Sequence, residues 1–479
     1  MARIHLPALA LGAALFTGCA SLDDPLKAPQ QAQPASFAGT TADTANAGTT
    51  DWRTYFNDPL LVQLIDTALA RNLDLQMALQ RVEMARAGAR AARGAQLPTV
   101  GLNTTAAMRR FGLYTMDGAG NIVTEIVPGK IVPIDLPDLY IALQATWEVD
   151  IWGRLRNQRK AAVSRMLASQ EGAHLVMTNV VADVAVAYYE LVALDNELAI
   201  LRETVVRQEE ALNVIERQKD AGRANELAVQ QFEAQLLGTK ALQKEIEQRI
   251  VATENLINLL LGRFPQPVQR NAAGLAGPLP ADPAVGLPAQ LLRNRPDIRA
   301  AELELMAARF DLKAARAGFL PNLNITAGYG YQAFDPTLLF ESPSSIAYHL
   351  VGGLFTPLLN RNALKARFRE ASAQQLAAVS AYQQRIITGH VEVMNELSNL
   401  GKLREAGDLR RQRNDVLQAS VDVSRELYRN AKAGYIEVLL AQQNALSANL
   451  ELVEVQKRQR FALVDLYKAL GGGWSDRRP

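Results

Sequence analysis

Chemistry that needs a sulfur nucleophile has one place to happen in this 479-residue chain, because Cys19 is its only cysteine. A single cysteine also excludes any intrachain disulfide. The four histidines, His5, His174, His349 and His390, are scattered, and none pairs with another ligand type at metal-binding spacing. No phosphate-cradling glycine loop and no nucleophile elbow is present. The run Gly471–Gly473 lacks the strand-before, helix-after setting of a phosphate site and reads as a flexible helix exit. The chain is therefore expected to be no enzyme and to hold neither metal nor other cofactor. Its net charge of +2 gives no pull toward nucleic acid.

What surrounds Cys19 says what its thiol is for. Arg3 provides a positive start, Leu6 to Phe16 is an uncharged apolar run of 11 residues, and small residues follow. The run is too short to cross a bilayer core and reads as a secretory signal over residues 1–18. The stretch ending "FTGC" resembles the lipobox of bacterial lipoproteins, in which cleavage before the cysteine leaves it as a lipidated N-terminus. Phe16 stands where an aliphatic residue is usual. Ala20 follows the cysteine where an inner-membrane retention signal would place Asp, so the resemblance implies an outer-membrane lipoprotein. An ordinary signal peptide with an incidental cysteine is the alternative. Residues 19–50 hold few large apolar side chains and read as a tether or a surface-hugging segment, not a core element.

The elements come in two copies. Asp74–Pro98 and Asp297–Pro321 are identical at 9 of 25 positions at an offset of 223. Both read as helices ended by Leu-Pro, at Pro98 and Pro321. After each proline the period changes from helical to two. In "LNITAGYGYQ", Leu323, Ile325, Ala327, Tyr329 and Tyr331 alternate with polar or glycine positions; in "LYIALQATWEVDI", Leu139, Ile141, Leu143, Ala145, Trp147 and Val149 do the same. Strands are expected near 99–116, 138–151, 322–334 and 345–357. Their lengths match the roughly 9 to 11 residues of a tilted membrane-spanning strand, and Trp147, Tyr329 and Tyr331 are candidates for an interfacial girdle. The turn-rich connectors between strands, residues 116–137 and 334–345, read as exposed loops. A soluble hairpin burying one face satisfies the same alternation.

Each strand pair leads into a helical stretch of unusual length. The chain runs without proline from Arg154 to Phe264 and again from Leu358 to Trp474. Gly153 and Asn360 mark the turns into these stretches, and Ala221-Gly222 and the "NAKAG" segment mark their middles. Two long helical hairpins are expected, over 154–262 and 361–471, and the outgoing 68 positions from Arg154 to Ala221 would make a helix about 100 Å long at 1.5 Å per residue. The apolar stretch 175–194 is interrupted by Asn179, Asp183 and Glu190 and reads as a packed helix wall. The organisation is a signal at 1–18, a tether at 19–50, a first repeat at 51–263, a connector at 264–288, a second repeat at 289–473 and a tail at 474–479.

Four strands cannot close a membrane barrel, since single-chain barrels start at eight, and open edges in hydrocarbon cost several kcal/mol for each unpaired backbone group. Strands that enter a membrane here must be shared among chains, and three copies give 12. The order of elements, with "DWRTYFNDPLLVQLIDTAL", "WEVDIWGRLRNQRKAAV", "LLRNRPDIRAAELELMAARFDLKAARAGFLP" and "LYRNAKAGYIEVLLAQQNAL", resembles the TolC-like outer membrane factor family, in its lipoprotein efflux branch. The resemblance covers essentially the whole mature chain. It implies a mainly α fold with transmembrane β: a homotrimer with a 12-stranded β-barrel in the outer membrane, continued by an α-helical barrel across the periplasm. It further implies a periplasmic adaptor and an inner-membrane RND-type transporter as partners, contact with outer-membrane lipid, a covalent lipid on Cys19, and passive export of drugs or other small toxic compounds.

The resemblance also points to a gate at the hairpin tips. The second tip reads "YIEVLLAQQ", Tyr435 to Gln443, with Leu440 where the family usually has Asp and Gln443 where it has Arg. Ile436, Leu440 and Gln443 are the entrance candidates, with Leu227 and Gln231 on the first hairpin. A threefold apolar ring gates by dewetting, while plain interhelical packing explains the i, i+4 pair Ile436 and Leu440 equally simply. Type I protein secretion, heavy-metal efflux and a poreless periplasmic coiled-coil scaffold are the alternative functions.

Overall fold

A computed structural model describes residues 44–275, 277 and 284–474, together with Pro34, Ser36 and Phe37. Cys19 and the secretory signal lie outside the described residues. The first α-helices among the described residues are α1 (Trp52–Phe56), α2 (Pro59–Arg71) and α3 (Leu73–Gly94). Asp58 caps α2 by accepting from the amides of Leu60 and Leu61, and Asn72 caps α3 through the amide of Leu75. β1 (Thr99–Arg110) follows Pro98 directly. After a loop carrying α4 (Met116–Asn121), β2 (Glu125–Val127) and β3 (Lys130–Ile131), the chain returns as β4 (Asp135–Val149).

α5 (Arg154–Asp220) and α6 (Glu226–Leu260) form the first long hairpin. The second repeat runs α7 (Pro288–Asn294), α8 (Pro296–Ala317), β5 (Asn322–Ala333), β6 (Ile346–Phe355), α9 (Asn362–Arg429) and α10 (Tyr435–Ala469). α3 and α8 are both 22 residues long at the 223 offset, and α5 and α9 are 67 and 68 residues long.

The loop between β1 and β4 holds more structure than its turn-rich sequence suggests. The Thr115 hydroxyl accepts from the Gly118 amide and starts α4, and Gly129 at φ +79° lets β2 and β3 pair. Lys130 reaches across to Asp335 at 2.7 Å, joining this loop to the one between β5 and β6.

The strands form one antiparallel sheet in the order β1-β4-β5-β6. Each repeat supplies one hairpin, and β4 joins them by pairing with β5 from Leu139↔Ala333 to Val149↔Leu323. The outward edges of β1 and β6 have no partner strand among the described residues.

α5 is the spine. It packs against α2, α3, α6, α8 and α10. Its apolar stretch is the centre of the main core, where Val184, Ala185, Tyr188, Leu191 and Val192 meet Leu61 and Ile65 of α2, Ile257 of α6 and Val464 of α10. The 67-residue helix is apolar enough over one window to cross a membrane, but 61% of that window is buried inside the fold, which is the packed wall expected from the sequence. A second core joins Leu291, Ile298, Val393, Leu400 and Leu466 to Phe37, which is wholly buried and stacks on His390 at 5.2 Å. The tether is therefore docked at this point, a contact that its polar composition concealed.

Asp150 caps α5 by accepting from the amides of Leu155 and Arg156 at 3.0 and 2.8 Å, and Glu148 holds Arg154 at 2.6 Å. Both helix-entry turns use the left-handed region, Gly153 at φ +76° and Asn360 at φ +51°.

Candidate lipid-facing sheet and periplasmic entrance

Register assigns every strand residue to a face. One face carries Val100, Leu102 and Met108 of β1, Leu139, Ile141, Leu143 and Trp147 of β4, Leu323, Ile325, Tyr329 and Tyr331 of β5, and Ile346, Tyr348, Leu350 and Leu354 of β6. The other carries Thr99, Asn103 and Thr105, then Gln144, Thr146 and Glu148, then Asn324, Thr326 and Gln332, and His349. Leu136 and Tyr140 of β4 and Val351 and Phe355 of β6 are the large apolar or aromatic residues that fall on this second face.

The apolar face is open. Leu102, Leu350, Tyr348 and Leu354 are 66–79% exposed. A hairpin that buried this face against a protein core would have it covered, so the soluble arrangement does not describe this sheet. Trp147 sits near the lower end of the sheet and donates its indole N–H to the carbonyl of Gln96 at 3.0 Å, an amphipathic placement suited to a membrane interface. Tyr331 packs edge-on against Phe340 near the upper end, whereas Tyr329 lies four residues inside the end of its strand beside Tyr348 and Leu143.

At the far end the two hairpin tips touch. Ile215, Ala228, Val229 and Phe232 of the first hairpin form a small core that receives Tyr428, Tyr435 and Leu439 of the second. The Tyr428 hydroxyl donates to Gln218 Oε1. Lys219 and Glu226 pair at 2.6 Å across the first turn, and this bond raises the lysine above its ordinary pKa.

The entrance candidates stand beside this core. Val438 and Ala445 of α10 are buried, while Ile436 and Leu440 are about half exposed on a neighbouring stripe that continues to Gln443. Leu227 is 53% exposed and Gln231 is half-buried. The fold thus leaves Ile436 and Leu440 free of the tip core that Tyr435 and Leu439 enter. Sequence reading missed Tyr428 as a bridge between hairpins, because nothing local to that residue announces a partner more than 200 positions away.

Farther up, the hairpins are joined by charge. Lys457 of α10, nearly buried, bonds to Glu190 of α5 at 2.9 Å and to Glu454 at 2.7 Å. Arg249 of α6 bonds to Glu190 at 2.8 Å and approaches Glu197 at 3.7 Å. Burial pushes the Glu197 carboxyl above its ordinary range, against the pull of Arg249 and Lys457. For Lys457 burial pushes downward, but its bonds to Glu454 and Glu190 prevail and the net direction is up.

Apolar side chains are also left open along the hairpins. Leu409, Val416 and Val423 recur every seven residues on α9 and are 59–68% exposed. That spacing is a seam for another helix.

Comparison with known proteins agrees with this arrangement. The family described as outer membrane efflux protein matches residues 64–263 and 287–472, one segment for each repeat. The solvent efflux pump outer membrane protein SrpC of Pseudomonas putida is 33% identical over 98% of this chain and 98% of its own length. Outer membrane protein OprJ of Pseudomonas aeruginosa is 31% identical over 98% of this chain and 96% of its own. The open state of the MtrE outer membrane channel of Neisseria gonorrhoeae superposes with a TM-score of 0.79 at 25% identity, over 93% of this chain and 98% of that one. A sheet with its apolar face turned outward, carried on two long helical hairpins and matched along nearly its whole length, identifies this chain as a member of the outer membrane efflux protein family, seated in the outer membrane and reaching into the periplasm.

Proposed function

We propose that three copies of this chain assemble into one duct: a 12-stranded barrel through the outer membrane, continued by an α-helical barrel across the periplasm. The observation that carries this is the sheet itself. Its outward face is apolar and uncovered, and its two edge strands have open ladders. In lipid each unpaired backbone group would cost several kcal/mol, so β6 of one copy must pair with β1 of the next until the ring closes. The Leu409, Val416 and Val423 seam gives the helices below a matching reason to meet a neighbour.

The duct passively conducts small toxic compounds, delivered by an inner-membrane RND-type transporter through a periplasmic adaptor. The cargo class follows the Pseudomonas putida relative, which belongs to a solvent efflux pump. The chain performs no catalysis of its own on this reading. The tip residues Ile436 and Leu440, with Leu227, Gln231 and Gln443, line the periplasmic entrance.

Cys19 carries the lipid. Phe37 is docked against His390, which lies 28 residues into α9, about 42 Å from its start. The 18 residues from Cys19 to Phe37 span at most ~60 Å when extended, enough to reach the membrane from that depth.

The test is conductance. Purified protein added to a planar bilayer gives discrete channel events under this reading, and expression in a strain lacking its own efflux ducts restores solvent tolerance when a matching adaptor and pump are present. A preparation that inserts nothing and conducts nothing rejects it.

A further inference from the structure

The face of the sheet opposite the apolar one is almost without charge through its middle. At one level Gly101, Gln144, Gly328 and His349 stand side by side on the four strands. The neighbouring levels hold Asn103, Ala142, Gly330 and Ala347 on one side, and Thr99, Thr146, Thr326 and Val351 on the other. Charged groups appear only toward the ends, and each is paired. Arg109 lies 3.4 Å from Asp138, which also accepts from Gln332, and Glu148 is held by Arg154 at 2.6 Å.

His349 is the exception, and the wall is shaped to receive it. Its imidazole lies over Gly328, where a β-carbon would stand 2.3 Å from Cε1 and 2.8 Å from Nδ1. The missing side chain on β5 lets the ring lie against the sheet instead of crossing the space in front of it. Gly328 and Gly330 are buried, while His349 itself remains open. Histidine is the residue whose charge ordinarily changes between pH 5 and 8.

We propose that His349 sets the charge selectivity of the barrel lumen. This rests on the trimeric-barrel reading, in which the face bearing His349 lines the water-filled interior and three imidazoles form one belt at a single depth. The groups facing that belt are those of its own sheet and of the next copy's β1. On β1, Thr99, Gly101, Asn103 and Thr105 carry no charge, and Arg109 is committed to Asp138. On β4 the titratable groups are Tyr140 and the paired Asp138 and Glu148; on β5 there are none on this face. Protonation therefore places three unopposed positive charges in a low-dielectric wall, which favours anions and repels cations passing through. Deprotonation leaves the belt neutral.

The experiment is the reversal potential of bilayer-inserted protein across a tenfold KCl gradient, taken at pH 8 and at pH 5. The dilute side is kept near 10 mM, where the Debye length is ~30 Å and a charge on the wall is felt across the lumen. Burial also raises carboxyls elsewhere in the chain, those of Asp183, Glu197 and Asp465, so the reading is the difference between wild type and His349→Gln. Acidification should move the wild-type chloride-to-potassium permeability ratio upward at least twofold more than it moves that of His349→Gln. His349→Lys should hold the higher anion preference at both pH values. Native mass spectrometry establishes that each variant assembles as wild type does. Equal shifts in wild type and His349→Gln, with channels of normal conductance, overturn the role of His349 and leave the duct intact. Absence of any channel in wild-type protein overturns the barrel reading and this role together.

Discussion

Single side chains decide how tightly this fold is held. Glu197 is buried and its carboxyl titrates above the ordinary value. A carboxyl raised on folding contributes stability that is fully present below its unfolded pKa and is lost as pH rises through the folded pKa. In the folded chain the ionised form of Glu197 is thus the poorly solvated one, and burial is the cause. Glu197→Gln is expected to raise the melting temperature at pH 7.5, with the gain shrinking toward pH 4; a gain that grows on acidification would reverse the sign. At the proposed entrance, Leu440 is half exposed, at the position where the resemblance implies Asp. Leu440→Asp or Leu440→Gly is expected to raise single-channel conductance and antibiotic leakage, because a polar or vacant position wets an apolar constriction. Unchanged conductance would remove Leu440 from the gate. At this scale the sequence marked Ile436, Leu440 and Gln443 through a resemblance, and the exposed stripe on α10 agrees with their being available. It did not mark Phe37, Tyr428 or Lys457, whose partners lie far along the chain, because a burial or an ion pair between repeats leaves no local pattern to read.

At the scale of elements, the repeat makes one tip a control for the other. Gly222 turns the first tip at φ +71°, and Ala431, at the 209 offset, turns the second at φ +56°. A β-carbon in that region costs roughly 1–2 kcal/mol. Asn225 caps α6 by accepting from the Ala228 amide, whereas its counterpart Gly434 has no side chain with which to cap α10. The second tip is thus built from weaker local chemistry on the same frame. Ala431→Gly is expected to stabilise it by about 1 kcal/mol and to slow amide exchange across 428–439 about fivefold, which hydrogen-exchange mass spectrometry would detect. Exchange left unchanged would mean that the second tip does not open through this turn.

Elements whose cause is periodic or local were legible. The long helices followed from the lack of proline and the strands from alternation, while Gly262 and Gly471 close their helices at positive φ, as terminal glycines do. The short α4 and the β2–β3 pair were not legible, because a six-residue helix and a two-residue strand carry too few residues for any period to show. Nor does the register that joins β4 to β5 appear in either repeat alone.

For the whole molecule the question is what covers the apolar face and the open edges. Strand register turns this into a test with two adjacent residues. Leu350 lies on the apolar face and Val351 on the polar one, and both are more than half exposed in the single chain. If lipid covers the first and water the second, Leu350→Arg costs about 2–4 kcal/mol near the bilayer midplane and depletes the assembled form in outer membranes, while Val351→Arg does not. Equal tolerance of both would mean that exposure, not the side of the wall, sets the cost. The central claim is that several copies complete one barrel. Its most direct test is native mass spectrometry of the full chain released from outer membranes in detergent. The expected mass is three chains. A stable single chain whose strand amides remain fully protected from exchange would contradict the shared barrel.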